Sequence, residues 1–146
     1  MTDDLLRLWV RQALSEVLET MFFSSVEDRV ADCGSAAYSA SVDYEGGWEG
    51  TLHLRVSQAA ASRLAADFLG LHEEAGGDET IQVLRELANM ITGDFVSRLN
   101  ATSPFRLHPP QSPARENCTT ETIESHYGLE DGFVAISISR PQMTVP

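Results

Sequence analysis

The feature that most constrains the fold is the order in which two hydrophobic periodicities follow each other along the chain. Three segments have helical spacing: Asp3 to about Ser24, Ser57 to about Leu69, and Asp78 or Thr80 to about Asn100. Two segments alternate apolar and polar residues: Ser35 to Val56, and Cys118 to Arg140. Because helices come in runs and strands in hairpins, the chain lacks the β-α-β alternation of a parallel sheet. The order predicts an α+β fold, in which an antiparallel sheet of two hairpins carries long helices packed on one face.

Each predicted hairpin contains a turn signal between two strands. In the first, Glu45-Gly46-Gly47 separates the apolar positions of the two strands, which are Tyr38, Ala40, Val42, Tyr44, Leu52, Leu54 and Val56. In the second, Gly128 to Gly132 makes the turn between Cys118 to Tyr127 and Phe133 to Arg140, with Val134, Ile136 and Ile138 buried. Four prolines lie in Thr102 to Pro113, which we therefore expect to be a loop with a short edge strand near Phe105 to Leu107.

Capping residues and apolar faces define the first two helices. The apolar face of the first helix consists of Leu6, Val10, Leu14, Val17, Leu18 and Met21. Ser57 is the candidate N-cap of the second helix, and Gly70 is its candidate C-terminal glycine. Leu71 to Gly77 forms an acidic connection to the third helix.

Length and charge narrow the class of protein. The 146 residues fit one domain, 1–146, and the net charge of -12 argues against nucleic acid and against an anionic membrane surface. The N-terminus is acidic at Asp3 and Asp4, unlike a secretory signal, and no apolar run is long enough to cross a membrane. These features favour a cytoplasmic protein whose two cysteines, Cys33 and Cys118, are reduced structural thiols.

The common motifs of metal and cofactor chemistry are missing from the sequence. His53, His72, His108 and His126 lie on different predicted elements without ligand spacing, so we expect no metal site. The sequence contains no P-loop, dinucleotide fingerprint or G-x-S-x-G nucleophile motif. We therefore expect no cofactor of the chain's own. Trp9 and Trp48 are read as partial core, with an interface role as the alternative.

The third helix carries the most specific pattern. With Leu84 at the centre of its buried face, the positions that also face the core are Leu87, Ala88, Ile91, Phe95 and Leu99. The opposite side is a narrow stripe of Gln82, Glu86, Asn89 and Gly93. Such a stripe is most often just a solvated surface. Asn and Gly are poor helix formers, however, and Gly costs about 1 kcal/mol relative to Ala, so their place on an exposed face hints at function.

The segment Glu86-Leu87-Ala88-Asn89-Met90-Ile91-Thr92-Gly93-Asp94 closely resembles the signature helix of the CheX/CheC phosphatase family, which is E-x-x-N followed by an apolar residue and a glycine. The first helix, at residues 13–23, also resembles the opening helix of CheX-like proteins. The order of elements agrees over almost the whole chain. The resemblance therefore implies a stand-alone, CheC/CheX-like single domain.

The resemblance also implies a function. The substrate would be a CheY-like response regulator that carries an aspartyl phosphate, in chemotaxis or a related two-component system. Asn89 would orient the attacking water, and Glu86 would pair with the active-site lysine of the regulator. Gln82 and Gly93 would lie on the surface that binds this partner. Mg²⁺ would be bound by the regulator, and a homodimer is a further implication.

The chain departs from the family pattern at two places. Gln82 stands where the family often has Asp or Ser, and on the first helix Glu19 is followed three residues later by Phe22 rather than Asn. Because an apolar ring cannot orient water, we expect at most one site. The alternative function, from a different class, is a non-catalytic module that docks a receiver domain or resembles a flagellar switch protein.

Overall fold

A computed structural model describes residues 2–21, 27–29, 37–46, 49–99, 105–114, 122–129 and 132–139. Within these ranges the elements are α1 (Asp3–Met21), β1 (Glu27–Arg29), β2 (Tyr38–Glu45), β3 (Gly50–Val56), α2 (Gln58–Leu69), α3 (Gly77–Arg98), β4 (Arg106–Leu107), β5 (Thr122–Leu129) and β6 (Gly132–Ser139). The strands form one sheet in the order β1-β5-β6-β3-β2-β4, and all neighbours are antiparallel. The predicted α+β fold is confirmed.

The two predicted hairpins meet at the centre of the sheet, where β3 pairs with β6. Leu52 lies opposite Ile138, and Leu54 lies opposite Ile136. The apolar positions of all four long strands point to the same face, and the predicted set is buried except for Tyr38, which is half-buried. The opposite face is polar: Thr51 Oγ1 donates to Asp43 Oδ1 at 2.6 Å, and Arg55 pairs with Glu124.

The predicted turn of the second hairpin, Gly128 to Gly132, is confirmed in position, but the turn is shorter than expected. Gly128 lies opposite Phe133 and Leu129 lies opposite Gly132, so both glycines belong to the strand ladder. Residue 132 is a glycine for a reason other than turn geometry. A Cβ at this position would collide with the hydroxyl of Ser57 at the start of α2. The predicted start of this strand at Cys118 lies outside the described residues, as do Cys33 and Trp48.

The predicted face of α1 is confirmed in its first four turns and wrong at its end. Leu6, Val10, Leu14, Val17 and Leu18 are buried. Met21, in contrast, is 44% exposed because it is the last residue of α1 and lies beyond the last buried pair. Trp9 is partly buried against the core, as expected.

The ends of α2 and α3 confirm the capping predictions with two adjustments. Gly70 has φ +70° and donates its N–H to the carbonyls of Ala66 and Asp67, which is the left-handed C-terminal geometry that favours glycine. Ser57 is the N-cap, but its hydroxyl accepts the N–H of Phe133 at 3.1 Å instead of capping its own helix. Helix α3 begins at Gly77, one residue before Asp78, the earlier of the two predicted starts.

A continuous apolar core lies between the helices and one face of the sheet. Helix α3 occupies its centre, since it packs against α1, α2, β2 and β3. With 22 residues, α3 is about 33 Å long. Its outer side is therefore held on a rigid element. No helix in the described ranges is long and apolar enough to cross a membrane.

Candidate functional site

Helix α3 separates its two faces as the sequence predicts. The expected core positions Leu84, Leu87, Ala88, Ile91, Phe95 and Leu99 are all buried. On the opposite stripe, Gln82 and Glu86 are exposed, whereas Asn89 and Gly93 are half-buried. The structure thus brings the four predicted residues to one surface, but the C-terminal half of that surface is partly covered.

The side chains of Glu86 and Asn89 are neighbours on successive turns of α3, three residues apart. Neither makes a hydrogen bond or ion pair with any other residue in the described part of the chain. A carboxylate accepts hydrogen bonds from a cation, and an amide can donate and accept at once. Within the described residues, the pair therefore has no hydrogen bond to give up when a partner or a water molecule binds.

A segment at residues 105–114, here named the strap, covers one side of the stripe. The Cδ1 atom of Leu107 lies 3.8 Å from the position that a Cβ on Gly93 would occupy. Further along, the Nη2 atom of Arg85 donates to the carbonyl oxygen of Ser112 at 3.5 Å. Asn89 stands between Arg85 and Gly93 on the helix. The strap therefore passes along the side of α3 on which Asn89 lies, between its contacts with Arg85 and Gly93.

The strap is held against β2 by backbone hydrogen bonds. Strand β4 pairs with the end of β2, so the predicted short edge strand is confirmed. The N–H of His108 donates to the carbonyl of Asp43 at 2.9 Å, and Gln111 exchanges two hydrogen bonds with Ser41. Sequence reasoning did not assign the strap to the site, because no local pattern reveals which helix a proline-rich loop will contact.

Tyr44 joins the strap to α3. Its buried ring makes edge-to-face contacts with Phe95 of α3, at 6.3 Å between centroids, and with Phe105 of the strap, at 6.0 Å. Aromatic pairs in this geometry add about 0.5–1.5 kcal/mol each beyond the area that they bury. The strap is therefore packed against the core through Phe105 and Tyr44.

Helix α1 lies next to α3 and is tied to it by Arg98. This side chain pairs with Asp94 at 2.5 Å and donates to Oε1 of Gln12 at 3.1 Å. On α1, Ser15 is half-buried and Glu19 is exposed, whereas Phe22 lies outside the described residues. The expectation of a single site stays a prediction.

The histidines do not assemble into a site in the part of the chain that the structure describes, where no three His, Cys, Asp or Glu side chains are grouped to hold a metal ion. His53 lies on the polar face of the sheet, away from α3. Burial lowers the pKa of His53, an effect that Asp43 opposes and Arg55 reinforces.

A groove of about 400 Å³ lies on the surface of α2, and its lining includes Arg63, Asp67 and His72 but no residue of α3. Arg63 and Asp67 are paired with each other at 3.3 Å. The stripe on α3 is instead a raised helix face bordered by the strap. Such a surface suits contact with a protein more than enclosure of a small molecule.

A family model described as "Chemotaxis phosphatase CheX" matches residues 38–138. No curated protein matches the chain. Among solved structures, the chain is similar to the chemotaxis protein CheX from Vibrio vulnificus, with a TM-score of 0.80 and 18% identity over 95% of this chain and 98% of that chain.

Two further solved structures extend the comparison. A CheX-CheY-BeF3-Mg²⁺ complex from Borrelia burgdorferi gives a TM-score of 0.75 at 22% identity, over 94% of this chain and 98% of that chain. FliY from Thermotoga maritima gives 0.63 at 14% identity, over 94% and 89%. At these identities the structural likeness establishes the fold.

Proposed function

The chain belongs to the CheX family, and from that premise we propose that it is a phosphatase for the aspartyl phosphate of a CheY-like response regulator. The observation that carries the proposal is the pair of Glu86 and Asn89. Both lie on the outer stripe of α3, both lack a hydrogen-bonding partner within the described chain, and both match the family motif.

In the proposed mechanism, Asn89 positions the attacking water. Its amide oxygen accepts a hydrogen bond from the water, and the amide N–H₂ group donates to the phosphoryl oxygens. Phosphoryl transfer needs little covalent help from the protein, so holding a water in line with the phosphorus supplies a large part of the rate gain. The rigid backbone of α3 and the adjacent strap limit the positions that the amide can take.

Glu86 has a complementary role in the proposal. Its exposed carboxylate pairs with the active-site lysine of the regulator and sets the register in which α3 docks. Gln82 contacts the partner one turn before Glu86, and Gly93 lets it approach closely one turn after Asn89. The Mg²⁺ that neutralises the phosphoryl group belongs to the regulator, in keeping with the Mg²⁺-containing Borrelia burgdorferi complex.

The decisive experiment measures phosphate release from a Mg²⁺-loaded, phosphorylated CheY-like receiver of the same organism. We expect the chain to accelerate phosphate release. The acceleration by Asn89→Ala should be at least about a hundredfold smaller than that by the wild type, while the fold stays intact. Gln58→Ala is the matched control, because it removes an exposed amide from α2. An Asn89→Ala variant that works at full rate would rule out the proposed role of Asn89.

A second candidate function is docking without catalysis. The alternative stays open because Gln82 departs from the family pattern and because the fold is shared with FliY, at a TM-score of 0.63. A stable complex with the phosphorylated receiver, without faster phosphate loss, would identify the chain as a binding module. Acceleration that depends on Asn89 would exclude it.

The site of action and the assembly state complete the proposal. Because the proposed partner is a cytoplasmic signalling protein, we place the activity in the cytoplasm. We also propose that a homodimer can form, on the family resemblance alone. Sedimentation equilibrium at several concentrations tests the second statement, and a constant monomer mass would contradict it.

A further inference from the structure

Arg85 differs from five of the six other arginines whose side chains the structure describes. Each of these five pairs with a carboxylate, namely Arg7, Arg55, Arg63, Arg98 and Arg106. Arg85 is exposed, and its one hydrogen bond is to the carbonyl oxygen of Ser112 at 3.5 Å. That distance is at the weak limit of hydrogen bonding. In the described part of a chain with a net charge of -12, no carboxylate neutralises this guanidinium.

The position of Arg85 places this charge beside the proposed site. Arg85 precedes Asn89 by one helical turn, with an angular offset of about 40°. Side chains on a helix lean toward its N-terminus, so the amide of Asn89 leans toward the turn that carries Arg85. The guanidinium lies on the strap side of the stripe, where its contact with Ser112 is weak enough to be exchanged for a stronger one.

The chemistry of the proposed substrate suits such a group. A phosphorylated receiver presents phosphoryl oxygens at its phosphorylation site, and a cation on α3 adds to the attraction that the Mg²⁺ and the lysine of the receiver exert on them. The planar guanidinium can donate two parallel hydrogen bonds to phosphoryl or carboxylate oxygens. A weakly held arginine one turn from Asn89 can therefore recognise the anion that the unphosphorylated receiver lacks.

We propose that Arg85 is a specificity-determining residue. Its guanidinium gives up the contact with Ser112 and binds a phosphoryl oxygen of the docked receiver. The chain therefore binds the phosphorylated form of the receiver more tightly than the unphosphorylated form. This inference rests on the proposed function and deepens it. It concerns the choice between two states of one partner, whereas Asn89 and Glu86 concern the reaction and the docking register.

The test compares binding of Arg85→Gln to two forms of one receiver. One form carries Mg²⁺ and beryllofluoride as a stable phosphoryl mimic, and the other carries Mg²⁺ alone. We expect the variant to bind the first form about tenfold more weakly, as for the loss of a charge-assisted hydrogen bond, and the second form within about twofold of the wild type. Arg63→Gln is the matched control, since it removes the same charge from α2. Its affinity for each receiver form should stay within about twofold of the wild-type value.

Kinetics and stability separate recognition from a structural role. Because the contact exists in both the bound ground state and the transition state, we expect Arg85→Gln to raise KM with kcat within about twofold. Gln and Arg have similar helix propensities, so the thermal midpoint should stay within about 2 °C of the wild type. Arg85→Lys keeps the positive charge but lacks the two parallel donors of the guanidinium. Its affinity for the beryllofluoride form should therefore lie between those of Arg85→Gln and the wild type.

Two results would overturn the inference alone. The first is an equal loss of affinity for both receiver forms, which would make Arg85 a docking contact for a carboxylate at the rim of the site. The second is an Arg85→Gln variant that keeps its full affinity for both receiver forms, in a protein whose acceleration of phosphate release is abolished by Asn89→Ala. That result would leave the proposed function standing. A folded wild type that neither binds nor dephosphorylates any receiver of its organism would overturn the proposed function and this inference together.

Discussion

Single residues on α3 show how a helix can be stable and still carry residues that weaken it. Asn89 and Gly93 both lower helix propensity, and Gly costs about 1 kcal/mol relative to Ala. The helix tolerates them because its other face is fully buried at positions such as Leu87, Ile91 and Phe95. Folding does not require either residue at its position. A role in docking and catalysis gives the more economical reason for their presence.

Gly93→Ala should separate stability from function at this position. A methyl group at 93 would lie 3.8 Å from Leu107 Cδ1, which is an ordinary contact, so we expect the free energy of unfolding to rise by about 0.5–1 kcal/mol. The same methyl would stand between α3 and a closely docked receiver, so phosphate release should slow by about tenfold. Urea unfolding and phosphate release measure the two effects.

Ser97→Ala is the control for this prediction, because it also increases helix propensity on the exposed side of α3, one turn further on. It should leave phosphate release within about twofold of the wild type. If Gly93→Ala is stabilised and fully active, Gly93 does not belong to the surface that binds the partner.

At the scale of elements, the site depends on the junction of β2, the strap and α3. Tyr44 contacts Phe95 and Phe105, and its ring lies across Gly50 on the neighbouring strand. Lying opposite Tyr44 in the ladder, Gly50 leaves the space that the buried ring fills. The placement of the strap therefore depends on a glycine at the start of β3, outside both the strap and α3.

Gly50→Ala should destabilise the protein by about 1–3 kcal/mol, because the new Cβ would lie 2.5 Å from the hydroxyl of Tyr44 and would force the ring to move. Gly77→Ala is the matched control at the start of α3, where a Cβ would be 4.0 Å from the hydroxyl of Tyr38. The control should be neutral or stabilising. Chemical denaturation measures both variants, and an undiminished stability of Gly50→Ala would contradict the packing of Tyr44 over Gly50.

At the scale of the molecule, one core joins the sheet to all three helices. The buried cluster includes Leu14 of α1, Leu64 of α2, Leu84 of α3 and Leu54 of β3. No element among the described residues can bury its apolar face without the others. This arrangement favours cooperative unfolding of the whole chain rather than the separate melting of helices and sheet.

We therefore expect residues 1–146 to unfold in a single two-state transition. Far-UV circular dichroism reports the helices and the sheet, and tryptophan fluorescence reports surroundings such as those of Trp9, which is partly buried against the core. Urea midpoints from the two probes should coincide. Two separate midpoints would show that the chain contains more than one cooperative unit.

The sequence by itself determined the features that depend on local periodicity. Helical spacing identified α3 with its buried face and its outer stripe, and alternation identified both hairpins with the correct buried sides. The family motif then selected Glu86 and Asn89 from that stripe. The predictions of the buried faces succeed because neighbouring residues already define which side of a regular element is apolar, whereas the choice of Glu86 and Asn89 stays a prediction.

Only the tertiary structure decided the features that join residues far apart in the chain. The strap reaches α3 through Leu107 and Ser112, and Ser57 contacts the start of β6 at Gly132 and Phe133. The same holds for Arg85, whose lack of a carboxylate partner among the described residues depends on how distant elements pack around it. No local pattern encodes these contacts, because the packing of the whole core sets which elements become neighbours.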